Sequence, residues 1–463
     1  EPVSYVTNLP GATLVYTDLA QVNDYIEVSV ELPQALAGTT FRLIFTWQND
    51  NVDGSGIPAS IDNIELTSEV SQYGQPLNGN YTINNLLPTS GAIPIPGANF
   101  NNFSDAITYL NAFGKSGDVR FDVSAGQQFN HTPLTINVGG TFADTIGFVR
   151  YGVGANPKIN FSGGSTGADG GITLSGVDYI TFDGIDLSSE SAPATSNLNI
   201  EYIVRVVNSS ATNGSQNNKI RNCAITHNQA FTQNIAILQS TSVAPTTVDG
   251  TNSYNTYENI SLNSILNGIR INSNSSNRDQ NTAIKGCDLG DNGLGSVGNA
   301  AGAAYGIYVI NATNTIIESN SIKNLSSPGG TANALDGIRL LGVDGLNTVS
   351  GNTISAIRNT TNSICVVSGI RSVVATNGSV NIFNNFISDL STDLTTIDAA
   401  IRIKGMSIQP VTGVSNTSVY NVDFNSVSLS PSGSTNVSNA CIEVIQTGPI
   451  VNMRNNNFAN FTP

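Results

Sequence analysis

"IIESNSI" (316–322), "TVSGNTI" (348–354), "NIFNNFI" (381–387) and "NVDFNSV" (421–427) succeed one another along the chain. Each fits φ-x-x-Asn-x-φ, where φ is apolar. Looser versions come earlier as "KIRNCAI" (219–225), "ISLNSIL" (260–266) and "AIKGCDL" (283–289), and a last one is "NMRNNNF" (452–458). The asparagines leading these segments are Asn222, Asn263, Asn320, Asn352, Asn385 and Asn425, and Gly286 takes that place in one of them. Between these segments lies a second recurring element. It reads Gly-Ile-Arg at 268–270, 337–339 and 369–371, and in relaxed form at Ile203-Val204-Arg205 and Ala400-Ile401-Arg402. Its apolar residue returns at Ile269, Ile307, Ile338, Ile370, Ile401 and Ile442, about every 31–40 residues. Self-similarity at that period marks a solenoid.

The half-repeats are short, β-branched and alternating, so they suit strands. A single coil cannot bury its inward Ile and Val side chains. Coils stacked about 4.8 Å apart pair each strand with its equivalents above and below as a parallel ladder. Asparagine fits the bends, since it tolerates left-handed backbone and its amides can bond along a column. The expected fold is therefore all-β, a parallel β-helix. In Gly-Ile-Arg the Ile points inward and its neighbour Arg outward. Arg205, Arg270, Arg339, Arg371 and Arg402 would then line one outer face, interrupted by Tyr308 and Glu443. Such a stripe could grip an anionic sugar. The competing expectation is that these arginines pair with acidic neighbours such as Asp336, Asp398 and Glu443.

Outside the repeat, "NNFSDAITYLNAFG" (101–114) reads as a helix over 104–113, with Ser104 as N-cap and Gly114 as stop. It is the expected cap of the solenoid's first coil. Residues 71–100 are rich in Pro, Gly and Asn and read as a linker. Residues 1–70 alternate with period two at 25–32, 41–47 and 59–67, as part of a β-sandwich. The solenoid is assigned to 101–463. Its apolar beat persists at Val451, Met453 and Phe458, so further chain is expected beyond both ends.

Only 11% of residues are charged, with 18 basic against 33 acidic and a net charge of −15. That balance disfavours nucleic acid as a partner. No apolar run is long enough to span a bilayer. Cys223, Cys287, Cys365 and Cys441 lack metal-site spacing, and the chain has two histidines, so buried free thiols are expected. Asn49, Asp50, Asn51 and Asp53 in "NDNVDGSG" (49–56) offer oxygen ligands in a Gly-rich loop, a candidate calcium site, with an ordinary Asx-rich turn as the alternative.

The repeat resembles the right-handed parallel β-helix of the pectin-lyase-like superfamily over roughly residues 100–463. "NNFSDAITYLN" (101–111), "GDVRFDVSAG" (117–126) and "VDYITFDGIDL" (177–187) resemble the helix-capped start of such solenoids in large bacterial surface proteins of the type IX secretion class. Trp47–Asp50 with "PASIDNIEL" (58–66) resembles the C-terminal half of MAM-like and carbohydrate-binding jelly-roll modules. These resemblances imply a secreted or cell-surface location, a polysaccharide or surface glycan as partner, and contact with secretion or anchoring machinery. Asp144-Thr145-Ile146 resembles a bacterial O-glycosylation acceptor, with Thr145 carrying the sugar.

Many β-helices of that superfamily cleave acidic polysaccharides. Arg402-Ile403-Lys404 matches one short element of the polygalacturonase pattern, but its Asn-Thr-Asp, Asp-Asp and Gly-His-Gly companions are missing. Asp178, Asp183 and Asp186 form the tightest acidic group and read as turn-bonding residues. The expected function is therefore a structural and adhesive stalk without catalysis. The runners-up are a carbohydrate-active enzyme and a carbohydrate-binding module.

Overall fold

The computed structural model describes residues 74–461 with gaps, the longest at 190–199, 228–233, 291–303, 328–333, 411–416 and 430–436, and only scattered residues before 74. The chain divides at residue 71 into two units. The expected sandwich strands and the loop of Asn49, Asp50, Asn51 and Asp53 lie almost wholly outside the described residues.

The second unit is a parallel β-helix. Among the described residues, ten parallel strands stack in chain order from Leu134–Ile136 to Val437–Val444 and carry the Gly-Ile-Arg segments; we term this the GIR sheet. A 22-stranded parallel sheet carries the segments on either side of the asparagine turn. Three short strands, Leu325–Ser327, Ile357–Asn359 and Leu390–Thr392, add a third face. Inward residues form columns along the axis. One runs Tyr81–Phe121–Phe148–Phe182–Ile220–Tyr257–Ile284–Ile317–Val349–Ile382–Val422. Phe148 stacks on Phe121 and Phe182 at 4.7 Å each, close to the coil spacing.

The helix spans Phe103–Phe113, and Gly114 ends it at φ 73°. Its N-cap is Asn102, not Ser104: the Asn102 Oδ1 accepts from the Asp105 N–H at 2.9 Å. Phe103, Ala106, Ile107, Tyr109 and Leu110 are buried against the first coils. Asn111 donates to the Thr135 carbonyl at 2.7 Å and accepts from the Asn137 N–H at 3.1 Å. It thereby satisfies the free edge of the GIR sheet, the task of a cap. Residues 71–100 are not all linker. Leu77–Ile83 is a strand that pairs in parallel with Lys115–Ser124, and Tyr81 is fully buried.

At the turn, Asn320, Asn352, Asn385 and Asn425 stack as expected, joined by Asn456. The Asn352 Nδ2 donates to the Asn385 Oδ1 at 2.9 Å and to the Ile317 carbonyl at 3.0 Å. Its Oδ1 accepts from the Asn320 N–H and Nδ2, both at 3.0 Å. The pattern repeats to Asn456. The left-handed residue is the one before each ladder position: Gly286, Ser319, Gly351, Asn384, Phe424 and Asn455 all have φ between 55° and 63°. This corrects three assignments. Asn222 has φ 57° and lies in the left-handed column, one position early, and Gly286 shares that column. Asn263 pairs with Thr226 near a strand end and belongs to neither column. The ladder position in those coils is filled by Cys223, Ile260 and Cys287.

A second polar network lies inside the opposite turn. Asp279 is fully buried, its Oδ1 accepting from the Asn252 N–H and its Oδ2 from the Gln239 Nε2, each at 2.9 Å. Burial pushes this carboxyl up to about 6, against the bonds from Gln239, Asn252 and Ser273 that hold it down.

Two outcomes follow. Asn352→Leu strands the buried Asn320 N–H and Ile317 carbonyl, at about 1–3 kcal/mol each; urea unfolding should show a loss of about 2–5 kcal/mol. Asn263→Ala, off the ladder, should cost less than about 1 kcal/mol. Asp279 titrates near 4 in the unfolded chain and near 6 in the folded one. From about pH 4 to pH 6 the native state holds the extra proton, so its stability falls as pH rises. Wild type should lose about 3 kcal/mol relative to Asp279→Asn across that window. A constant difference between the two proteins at pH 4 and pH 7 would contradict this.

Candidate functional site

The GIR sheet answers what the glycine of Gly-Ile-Arg is for. Gly268, Gly306, Gly337, Gly369 and Gly405 form one column. A Cβ on Gly337 would sit 2.7 Å from the Gly369 carbonyl oxygen and 2.6 Å from Ile354 Cγ2, and its neighbours in the column are equally tight. The glycine also breaks strand alternation. Leu335 and Ile338 both enter the core, with Asp336 and Gly337 between them. Outward side chains therefore come in pairs three residues apart, and the pairs stack into two columns. One runs Asn267–Tyr305–Asp336–Ser368–Lys404 and the other Arg270–Tyr308–Arg339–Arg371–Ser407–Glu443.

The expected stripe is thus present in Arg205, Arg270, Arg339 and Arg371, with Tyr308 and Glu443 interrupting it, and Leu238 as well. Arg402 is not part of it. The pairing sets Met406, not Ile401, against Ile370, and Ser407 against Arg371. Gly405 is the cause: it is the residue of that strand that fits the crowded glycine column. Arg402 instead binds Asp398, with Nη2 at 2.6 Å and Nε at 2.8 Å from Oδ2.

These outward groups are largely withdrawn from water. Tyr305 and Tyr308 are buried, with ring centroids 4.7 Å apart. The guanidinium of Arg339 lies 4.7 Å from the Tyr308 ring centre and that of Arg270 lies 5.6 Å from it, a two-sided cation–π arrangement. Arg270 also donates to the Tyr305 hydroxyl at 3.4 Å. Lys404, itself buried, pairs with Glu443, which accepts from Ser407 at 3.3 Å. Asp336 is 0% exposed, and neither of its oxygens makes a well-formed hydrogen bond. Its nearest cation atom is Arg339 Nε at 3.8 Å, which also lacks a hydrogen bond, as do Arg270 Nε and Arg371 Nε. Burial pushes the Asp336 carboxyl up, while Arg371, Arg339 and a weak bond from the Ser368 side chain pull it back. Expected pairing with Asp336 and Asp398 is therefore real but unequal, and Glu443 pairs with a lysine rather than an arginine.

The other candidates separate from this face. Asp183 binds Arg221 at 2.8 Å and Asn222 at 2.6 Å. Asp178 accepts from the Gln216 N–H, and Asp186 from the Ala224 N–H and Asn156. These are turn-bonding roles, as read. Thr145 is exposed and its hydroxyl donates to Asp118 at 3.1 Å. Cys223, Cys287 and Cys365 are buried free thiols and Cys441 is half-buried. Burial pushes Cys287 and Cys365 up to about 12 each, which removes thiolate chemistry. Among the described residues no group of three or more His, Cys, Asp or Glu could hold a metal ion, and no helix is long and apolar enough to cross a membrane. Tyr305 and Lys404 were not legible as site residues. Their signal is their place immediately before a column glycine.

No protein-family model matches the chain, and no curated protein matches it in sequence. Solved structures do. The GH136 lacto-N-biosidase from Eubacterium ramulus is 13% identical with a TM-score of 0.42, over 81% of this chain and 68% of that one. Pectate lyase Pel9A is 14% identical with a TM-score of 0.43, over 80% of each chain. The Streptococcus pneumoniae surface protein and adhesin PfbA is 10% identical with a TM-score of 0.33, over 77% of this chain and 94% of that one. Enzymes and an adhesin thus stand together, and the likeness is one of general architecture.

Gly337→Ala should destabilise the solenoid by about 1–3 kcal/mol through overpacking. Thermal unfolding no different from wild type would remove the glycine column as the determinant of coil spacing.

Proposed function

We propose that this chain works as a stiff adhesive segment of a secreted or cell-surface protein, and that the outer face of the GIR sheet holds a carboxylate-bearing glycan. One observation carries the reading. Arg270, Arg339 and Arg371 present guanidinium groups whose Nε atoms are buried and unbonded, on a protein of net charge −15. Desolvated cations with spare donors cost stability unless something uses them. Arginine forks suit carboxylates in particular. The low charge content and the Asn/Ser/Thr surface favour an extracellular setting, and the continuous parallel ladders favour a rigid one.

The spacing of the acids on this face supports holding a glycan over hydrolysing it. Among the described carboxylates of this face, Asp398 is engaged by Arg402 and the Ala400 N–H, and Asp336 and Glu443 stand three coil steps apart along the axis. At about 4.8 Å per coil that is roughly 14 Å, beyond the ~5–9.5 Å that paired glycosidase carboxylates need.

Polygalacturonate is a suitable probe. Arg339→Ala and Arg371→Ala should each weaken its binding at least tenfold, about 1.4 kcal/mol. Arg358→Ala, at an exposed Arg358–Asp393 pair, should leave it within about twofold. Added salt should weaken the wild type. Equal binding by all four proteins would sink the assignment of the face. Shortening of the polymer, abolished by Lys404→Ala, would replace adhesion with catalysis.

A further inference from the structure

We propose that Asp336 is a protonation gate on this face: ionised, it neutralises the guanidinium charge beside it, and protonated, it releases that charge to an anionic glycan. The inference rests on the glycan-binding reading above.

The geometry sets Asp336 apart from the other carboxylates here. Asp398 has Arg402 at 2.6 and 2.8 Å and the Ala400 N–H at 2.9 Å, and those bonds hold its carboxyl low, the Ala400 bond foremost. Glu443 is engaged by Lys404 and Ser407. Asp336 alone of the three is fully buried with no well-formed hydrogen bond, Ser368 being the side chain that bonds it weakly, and it lies 3.8 Å from its nearest cation atom. A buried carboxylate so poorly paired is easily protonated.

Its surroundings are few. Tyr305 flanks it from the strand Ala304–Ile310, and Arg339 shares its own strand. Ser368 and Arg371 face it from Val366–Val374, with Cys365 just before them. Lys404 lies one strand further, its charge matched by Glu443. Burial pushes the Tyr305 hydroxyl and the Cys365 thiol up, so both stay neutral below pH 8. Burial favours the neutral form of Asp336 as well, so it is the carboxyl of this set whose protonation the site assists. A ligand carboxylate would compete with it for Arg339 and Arg371. By linkage, the ligand then raises the proton affinity of Asp336, and binding takes up a proton.

The test is calorimetric titration of polygalacturonate into the full chain at pH 5.5 and 7.5, each in two buffers of different ionisation heat. Wild type should take up as much as one proton per site, with affinity falling by as much as tenfold per pH unit. Asp336→Asn should take up none, show a flat pH profile, and bind at pH 7.5 more tightly than wild type. A merely structural role for Asp336 predicts the opposite, weaker binding by the variant. Binding by wild type without proton uptake overturns the gate alone, as does a wild-type slope in Asp336→Asn. Absence of binding by both proteins at either pH overturns the glycan reading itself. Should the variant fail to fold, the proton uptake of wild type decides.

Discussion

The Asn352 amide touches three coils at once. It accepts from Asn320 in the coil before, donates back to Ile317 there, and donates forward to Asn385. An amide buried at a turn has no water to fall back on, so each of these bonds is obligatory. The requirement fixes the pairing register, because slipping one strand by a residue would break the ladder and turn the core outward. In the earlier coils the same position is filled by Cys223, Ile260 and Cys287, which bury largely apolar surface and carry no amide to satisfy. The solenoid thus meets one constraint in two ways, with amide bonding toward one end and apolar packing toward the other. The second turn shows a similar choice: Asn218, Asn255 and Asn347 accept from the Ile180, Asn218 and Thr315 N–H groups of neighbouring coils.

The fold was legible because the apolar period and the asparagine spacing point to the same architecture. The errors have a common source. "ISLNSIL" satisfies φ-x-x-Asn-x-φ, yet Tyr257 before it and Ile260 at its start offer a second frame, and the pairing with Lys219–His227 selects that one. In the same way Ala400-Ile401-Arg402 and Gly405-Met406-Ser407 compete for one register. A local pattern cannot see that a Cβ at the glycine position would strike the next coil's carbonyl. The strand Leu77–Ile83 was hidden by the Pro- and Asn-rich residues after it, and its stability comes from Lys115–Ser124, across a helix. Long-range pairing decides such cases, and it is absent from any window of sequence.

The candidate site was half legible for a related reason. Arg270, Arg339 and Arg371 announce themselves by repetition. Tyr305, Asp336 and Lys404 share no residue type and become a column only when the coils stack. The glycine that permits close stacking also sets the outward residues three apart on each strand, so packing and site have one origin.

The interruptions in the arginine column are then informative. Two unit charges one coil apart, about 4.8 Å, repel by roughly 3 kcal/mol at an effective dielectric of 20. An unbroken stripe would accumulate that cost at every coil. Tyr308 stands between Arg270 and Arg339 and offers each a ring face, and Ser407 stands between Arg371 and Glu443. Arg339 and Arg371 are left as the adjacent like-charged pair. Asp336 lies beside that pair, where its charge relieves the repulsion most and where its loss, or its replacement by a ligand carboxylate, has the largest effect.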